Sequence, residues 1–348
     1  MKKTGRKSFV EESELAKYSQ RAGNGKRTAL IVLCVLLAVI LLVLVMATAA
    51  LEMTLGKINR FSDQEQTLSQ AEKDALLGES GDLDVSWGTI SGDKIGAQED
   101  VVNILLIGQD RREGESRSRS DAMILCTFNK KNNTVTFTSF LRDLYVQIPG
   151  YSDNRLNVAY PLEGMSLLDE TLEVNFGIHV DANVEVDFTE FQQVVDAVGG
   201  VDIYLTAEEA EHLTLTYGFT DLYEGMNHLD GERALACSRI RVLDSDFGRT
   251  NRQRTVLSAM FDSCRDLSLG GLLSLAGEVF PMVTTDMSNG EIIRYATDLF
   301  PMLANATVQT QSVPGDGMYY DTYIDDMAVL VPDLGAISEM LKETLLGQ

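Results

Sequence analysis

The chain has 348 residues, of which 45% are hydrophobic and 23% charged, with only 6 Pro. This composition excludes a disordered or collagen-like polypeptide. Lys and Arg number 29 against 52 Asp and Glu, and the net charge of −23 disfavours nucleic acid as a partner. The four cysteines and three histidines lack the spacing of a disulfide scaffold or a zinc site.

The amino-terminal region has the charge pattern of a membrane anchor. Residues 1–27 carry eight basic and three acidic side chains, or +5, which leaves −28 for the remainder. Residues 28–51 contain no charge, and a helix of that length spans the roughly 30 Å hydrocarbon core of a bilayer. Basic flanks stay in the cytoplasm. We therefore predict a cytoplasmic tail over 1–27, a transmembrane helix over 28–51, and an exported remainder at the cell membrane.

A cleaved signal peptide is the main alternative for this region, because Ala47-Thr48-Ala49 has the form of a cleavage site. Its apolar run is, however, much longer than the roughly 7–15 residues of a signal-peptide core. Export would permit a disulfide among Cys126, Cys237 and Cys264. Buried free cysteines are the simpler interpretation.

The exported part begins with a predicted juxtamembrane helix near 60–77 and an acidic linker that reaches residue 100. The apolar run Val101–Ile107 predicts a strand buried on both faces. Two further strands, 121–128 and 134–140, flank a turn-rich segment and predict a hairpin. Residues 183–188 predict another strand, followed by a helix that Thr189 caps and Gly199-Gly200 ends.

The remaining predicted elements are a strand over 201–205, a helix from Gly231 capped by Asp230, a helix over 248–267, a strand over 307–313 and a helix over 334–345. Alternating strands and helices, with one hairpin, indicate an α/β fold of the α-β-α sandwich type. Its central mixed sheet would be flanked by helices, and one exported domain would cover residues 101–346.

Arginine is unusually frequent and unevenly placed. Residues 28–348 hold 15 Arg but only 6 Lys. Six of these arginines fall within 22 residues, and four more lie in the segment 111–119. Guanidinium groups bind phosphate in a bidentate manner and remain charged in a dry site, so this concentration indicates an anionic ligand. Ordinary surface ion pairs with the abundant carboxylates are the alternative.

Aspartates accompany these arginines at the ends of predicted strands. Asp110 ends the first buried strand, Asp121 begins the second, and Arg142 follows the third. Arg249 and Gln253 are four residues apart and share a helix face. Two carboxylates near several arginines suit Mg²⁺ that holds a pyrophosphate. A capping role for either aspartate is the alternative, and the sequence has no P-loop motif.

These segments resemble the LytR–CpsA–Psr family of Gram-positive cell-wall ligases, over roughly residues 100–345 and the anchor. The most specific part runs through Leu229-Asp230-Gly231-Glu232-Arg233, Ser238-Arg239-Ile240-Arg241, Asp246-Phe247-Gly248-Arg249 and Arg252-Gln253-Arg254. Supporting segments are Arg119-Ser120-Asp121, Arg142-Asp143, Arg155-Leu156-Asn157 and Val313-Pro314-Gly315. One departure is Phe140-Leu141, where the family usually has Ile-Pro before Arg-Asp.

The resemblance implies a phosphotransferase that moves a teichoic acid or capsule-type glycopolymer from a polyprenyl-pyrophosphate carrier to peptidoglycan. It implies Mg²⁺ as cofactor, with Asp110 and Asp121 as ligands, and an apolar pocket for the polyprenyl chain. Asp121 would be either a metal ligand or a base. The implied pyrophosphate-binding residues are Arg119, Arg142, Arg239, Arg241, Arg249 and Gln253. The implied catalytic residues are Asp121, Arg119, Arg142, Arg239 and Arg241.

Two other functions use the same residues. A non-catalytic envelope regulator would bind the polyprenyl phosphate without turnover, and a hydrolase would transfer the polymer to water. Metal carboxylates beside the arginines favour an enzyme over simple anion binding.

Overall fold

The computed structural model describes residues 51–61, 68–78, 85, 87, 94–109, 118–265, 267–324 and 327–347. The chain divides into two units, residues 1–56 and Lys57–Gln348. In the first unit, residues 51–55 are helical. The predicted cytoplasmic tail and residues 28–50 of the predicted membrane helix lie outside the described residues. Within the described part of the chain, no helix combines the length and the apolarity needed to cross a bilayer.

A mixed seven-stranded sheet forms the centre of the second unit. Its strands are β1 (Asn59–Arg60), β2 (Val101–Gln109), β3 (Ser120–Asn129), β4 (Thr134–Phe140), β7 (Ala182–Asp187), β10 (Thr284–Thr285) and β11 (Thr307–Val313), in the spatial order β1-β10-β7-β2-β3-β4-β11. Strands β2, β3 and β4 pair antiparallel, whereas β2 with β7 and β4 with β11 pair parallel. The predicted hairpin and the mixed sheet are confirmed.

Helices cover both faces of this sheet. On one face lie α2 (Ala159–Glu163), α3 (Met165–Phe176) and α10 (Leu334–Leu346), whose apolar side chains pack against Leu105, Leu125 and Phe140. On the other face lie α7 (Asp246–Cys264) and α9 (Asn289–Leu303), which pack against Ile124 and Phe137. The α/β fold with a central mixed sheet between helical layers is therefore as predicted.

A smaller cluster of elements extends from the sheet after β7. It contains α4 (Phe188–Val198), α5 (Ala207–Tyr217), α6 (Gly231–Ser238) and the antiparallel pair β8 (Val201–Leu205) and β9 (Gly225–Leu229). The strand predicted over 201–205 forms, but it pairs with β9 outside the central sheet. A core that includes Val195, Leu205, Leu213 and Leu229 holds these elements against α7.

The elements that remain are short or peripheral. They are α1 (Gln70–Leu77), β5 (Tyr145–Val146), β6 (Asn154–Arg155), α8 (Leu269–Val279) and the hairpin β12 (Tyr319–Ile324) with β13 (Met327–Pro332). The bridge between Leu144 and Leu330 connects β13 to the segment after β4.

Local hydrogen bonds explain where the predicted helix boundaries differ. The juxtamembrane helix begins at Gln70, because Ser69 caps it, and not near residue 60, where β1 pairs with β10. Asp187 caps α4 through the N–H of Glu190, so the helix begins before Thr189, and Gly199 ends it in the left-handed conformation as predicted. Asp230 caps α6 as expected.

Candidate functional site

Asp121 lies at the start of β3, beside the carboxyl end of β2. The Oε1 atom of Gln109, the last residue of β2, accepts a hydrogen bond from the N–H of Ser118 at 2.9 Å, which fixes the entry into β3. The Asp121 Oδ1 atom accepts a hydrogen bond from Nη1 of Arg142 at 2.8 Å. Its Oδ2 atom lies 3.6 Å from Nη2 of Arg241. Both carboxylate oxygens therefore face guanidinium groups.

Arg142 connects this carboxylate to two others. It follows β4, and its Nε atom lies 3.4 Å from Oδ2 of Asp143 and 3.5 Å from Oδ2 of Asp246. Burial lowers the pKa of Arg142, but the bond to Asp121 and the charges of Asp143 and Asp246 more than offset it, so that the pKa is raised. Its charge is therefore stable, and its position is fixed from three sides.

Arg249 is the most buried charged group of the site. It lies in the first turns of α7 with 2% of its side chain exposed, and its Nη2 atom donates to Oδ2 of Asp246 at 2.6 Å. Burial lowers the pKa of the Arg249 guanidinium, and the positive charges of Arg142 and Arg241 lower it further. The charge of Asp246 offsets this decrease only in part. Its Nε and Nη1 atoms have no hydrogen-bond partner among the described residues. Two charged donors thus remain for an anion.

Further basic groups border this centre. The Nε atom of Arg155 lies 3.4 Å from Oδ1 of Asp143, and its guanidinium also donates to the carbonyl oxygen of Ala328 on β13. Burial lowers the pKa of Arg155; Asp143 opposes this, and the nearby positive charges of Arg119 and Arg142 lower it further. Arg119 itself is exposed. The hairpin β12–β13 is therefore joined to the site through Arg155.

The structure brings together four of the predicted site residues, namely Asp121, Arg142, Arg241 and Arg249. Gln253 lies one helical turn beyond Arg249, and its Oε1 atom is buried with no hydrogen-bond partner among the residues described. Arg239 ends α6, and its guanidinium carbon lies 4.5 Å from the centre of the Phe188 ring. Asp110 lies outside the described residues.

Three residues that the sequence interpretation did not assign to the site belong to this network: Asp143, Arg155 and Asp246. Asp246 is the most central, since it faces both Arg142 and Arg249. The available signal was its position in the first turn of a helix, three residues before Arg249, where a carboxylate interacts well with the helix terminus and with an i+3 arginine.

Phe140-Leu141, where the sequence departs from the usual Ile-Pro, lies at the end of β4 directly before Arg142. Both side chains are buried, and the Leu141 N–H donates to the carbonyl oxygen of Val313 at 2.8 Å. Proline has no N–H and could not make this bond. The added hydrogen bond ties the end of β4 to β11, immediately before Arg142.

The site offers few carboxylates for a metal ion such as Mg²⁺. No group of three or more His, Cys, Asp or Glu side chains arranged to hold a metal occurs among the described residues. Magnesium usually binds through one or two carboxylates together with substrate phosphates, so such a group is not required. The Asp121 carboxylate, beside guanidinium groups suited to phosphate, fits this type of site.

Comparisons with known proteins agree with one another. The model of the LytR_cpsA_psr family matches residues 54–344. The chain is 34% identical over 234 residues, or 64% of this chain and 72% of the relative, to the polyisoprenyl-teichoic acid–peptidoglycan teichoic acid transferase TagT of Bacillus subtilis.

Two solved structures share the fold. One, described as TagT bound to LIIa-WTA, has a TM-score of 0.59 at 30% identity and covers 74% of this chain and 94% of its own. The other, the LytR-CPS2A-psr family protein YwtF (TagT) with bound octaprenyl pyrophosphate lipid, has a TM-score of 0.56 at 29% identity and the same coverage.

Proposed function

The chain belongs to the LytR_cpsA_psr family, and on that basis we propose that it is a phosphotransferase that moves a glycopolymer from a polyprenyl-pyrophosphate carrier to peptidoglycan. The names of its relatives support a wall teichoic acid or a similar polymer as the substrate. The observation that carries the proposal is the convergence of Arg142, Arg241 and Arg249 on Asp121 and Asp246, with buried Arg249 donors still free among the described atoms.

The reaction breaks the phosphoanhydride bond of the carrier and forms a phosphodiester with the acceptor. The acceptor hydroxyl oxygen of peptidoglycan attacks the polymer-side phosphorus, and the bond from that phosphorus to the bridging oxygen breaks. The carrier leaves as polyprenyl phosphate, and the hydroxyl proton passes to a base. Negative charge grows on the bridging oxygen, where guanidinium groups fixed in a partly dry site stabilise it best.

We assign each residue of the site a role in this step. Arg142 and Arg241 bind the pyrophosphate at the exposed side, and Arg249 binds it from the interior with its free Nε and Nη1 donors. Arg119, Arg239 and Gln253 complete the set that contacts the substrate. Asp121 orients Arg142 and Arg241, and it serves in addition either as a ligand of Mg²⁺ or as the base that accepts the hydroxyl proton.

Asp110 and Asp121 are the residues we propose to hold Mg²⁺. When bound, the ion would neutralise pyrophosphate charge and polarise its oxygens. Chelation followed by addition of Mg²⁺ tests this requirement: activity should disappear and return. Activity that is the same in EDTA would remove the metal from the proposal while leaving the arginine site.

We further propose that residues 28–51 anchor the protein in the cell membrane, with the tail 1–27 in the cytoplasm and the domain outside. The eight basic residues of the tail, directly before the apolar run, support this orientation. Protease added to intact protoplasts should degrade the domain and spare the tail. Complete protection of the domain would contradict the orientation.

The site assignment is tested by turnover of lipid-linked polymer with peptidoglycan, measured as released polyprenyl phosphate. Arg241→Gln should lower turnover by about 100-fold or more, as expected for loss of a charged group that stabilises the transition state. Because the Arg241 side chain is 48% exposed, its loss should leave the melting temperature unchanged. Arg294→Gln, at another exposed arginine on α9, is the matched control and should retain full turnover. Full activity of Arg241→Gln would refute the assignment.

A further inference from the structure

Three arginines on helix α7 are buried, but their partners differ greatly. Arg249, Arg252 and Arg254 are 2%, 8% and 6% exposed. Arg252 donates to Glu209 at 2.6 Å, to Asp244 at 2.7 Å and to the carbonyl oxygen of Ile240 at 3.2 Å. The buried charge of Arg252 is therefore balanced by carboxylates, and its role is structural.

Arg254 has almost none of this compensation. Among the described residues its guanidinium makes one hydrogen bond, a long contact of 3.4 Å from Nη2 to Oδ1 of Asn251. Its Nε and Nη1 atoms have no hydrogen-bond partner among the described residues. Burial lowers its pKa to about 10, and no carboxylate in the described part of the chain offsets this. The group is therefore charged at neutral pH in an environment that stabilises the charge poorly.

Arg254 lies on the face of α7 that packs on the central sheet. Residues three and seven positions later, Leu257 and Phe261, pack against the sheet, and the rings of Phe261 and Phe137 are 6.1 Å apart. Residues at i, i+3 and i+7 share one helix face, so Arg254 enters the same interface nearer the start of α7. At that end, Asp246 faces Arg142. Arg254 thus lies between the arginine site and an apolar interior.

Two hydroxyl groups accompany it in this interface. Ser258 lies one turn after Arg254 on the same face of α7. Ser139 of β4 is opposite Ile124 of β3, whose side chain belongs to the apolar cluster under α7. Directly opposed residues point to the same face of a sheet. Both Oγ atoms are buried and have no partner in the described part of the chain, so they add donors to the guanidinium.

We propose that Arg254 binds the carrier-side phosphate of the lipid-linked pyrophosphate, with the hydroxyls of Ser139 and Ser258 as additional donors. This rests on the proposed function. When the bond between the polymer-side phosphorus and the bridging oxygen breaks, that oxygen keeps the electron pair and becomes part of the departing polyprenyl phosphate. Arg254 stabilises the new charge. The apolar surface that begins one turn further along α7 suits the prenyl chain attached to this phosphate.

The missing counter-charge makes the proposal testable before any turnover is measured. Replacing an unpaired buried charge by a similar apolar side chain is neutral or stabilising, whereas removing one member of a buried ion pair is destabilising. Arg254→Met should therefore melt at the same or a higher temperature than the wild type in the absence of lipid. Arg252→Met, the matched control, should melt at a lower temperature because Glu209 loses its partner.

Binding is measured with the full-length, detergent-solubilised protein and a C20 polyprenyl monophosphate. Arg254→Met should bind this lipid about tenfold or more weakly, as expected for loss of a charge-assisted hydrogen bond, while Arg252→Met should bind within about twofold of the wild type. Inorganic phosphate is the second probe. Binding of inorganic phosphate as strong as that of the lipid would assign Arg254 to a free anion and overturn the lipid assignment.

Two results separate failure of this inference from failure of the proposed function. If Arg254→Met binds the lipid as tightly as the wild type, or destabilises the protein as much as Arg252→Met, Arg254 is structural and only this inference falls. If the wild type binds neither polyprenyl monophosphate nor polyprenyl pyrophosphate, the proposed function falls with it.

Discussion

Asp246→Asn isolates the electrostatic role of the carboxylate at the centre of the site. Asp246 accepts from Arg249 at 2.6 Å and lies 3.5 Å from Arg142, so the substitution removes the charge of the carboxylate that contacts the buried guanidinium of Arg249. Breaking a buried pair in this way costs about 3–5 kcal/mol. Because Asp246 is 25% exposed, the lower end applies, and we expect a loss of about 3 kcal/mol in the free energy of unfolding.

This loss in the free energy of unfolding corresponds to a decrease in melting temperature. A unit the size of Lys57–Gln348 has an unfolding entropy of about 0.6 kcal/mol/K, so about 3 kcal/mol corresponds to a decrease of about 5 °C. Differential scanning fluorimetry of the detergent-solubilised protein without lipid would measure it. Polyprenyl pyrophosphate should return much of the lost stability, because the ligand replaces the missing negative charge.

The same helix supplies a matched control. Asp262 accepts from Arg265 at the same distance of 2.6 Å and the same i,i+3 spacing, but its side chain is 60% exposed. Exposed pairs contribute about 0–1 kcal/mol, so Asp262→Asn should change the melting temperature by less than about 2 °C. The double variant Asp246→Asn/Arg249→Met should recover stability relative to Asp246→Asn. Equal shifts for the two aspartates, or a double variant that melts still lower, would contradict this electrostatic role of Asp246.

Three other predictions follow from the fold. A Cβ at Gly231 would lie 2.1 Å from a carbonyl oxygen of α4, so Gly231→Ala should lower the free energy of unfolding by about 1–3 kcal/mol. At Gly290 a Cβ would have no neighbour closer than 3.9 Å, so Gly290→Ala should not lower the melting temperature. Burial raises the thiol pKa of Cys126, and it raises the thiol pKa of Cys237 to about 12. Neither thiol should therefore react with iodoacetamide at pH 8 until the protein unfolds. Rapid labelling of the native protein would contradict this prediction. Burial raises the pKa of Asp181 above its usual 3.8. The stability that its protonated form contributes is therefore present below pH 3.8 and is lost as the pH rises through the raised pKa. In melting curves recorded from about pH 4 upward, Asp181→Asn should not show this decrease in melting temperature.

The strands of the central sheet could be predicted because each carries a local signal. The apolar run of β2 and the turn between β3 and β4 both depend on nearby residues alone. The partner of β8 could not be predicted in this way, since alternating exposure in Val201–Leu205 identifies a strand but not its neighbour. Pairing of β1 with β10 joins residues more than 200 positions apart and leaves no local pattern.

In the candidate site, too, some features were predictable from the sequence and others depend on tertiary contacts. Asp121, Arg142, Arg241 and Arg249 were expected together from their positions and from the family resemblance, and the structure brings them together. The connecting role of Asp246 depends on how the start of α7 meets the end of β4, which is a tertiary contact. The different states of Arg252 and Arg254 depend on whether Glu209 and Asp244 reach them, and two arginines two positions apart in a motif give no indication of that.

In the proposed function, a sugar hydroxyl, and not water, receives the polymer phosphate. The most direct test is turnover of lipid-linked polymer by the full-length protein with peptidoglycan in ¹⁸O-labelled water, followed by mass spectrometry of the products. We expect polymer joined to peptidoglycan through a phosphodiester without ¹⁸O, together with polyprenyl phosphate. Free polymer with ¹⁸O in its terminal phosphate would identify a hydrolase and rule out the transferase function.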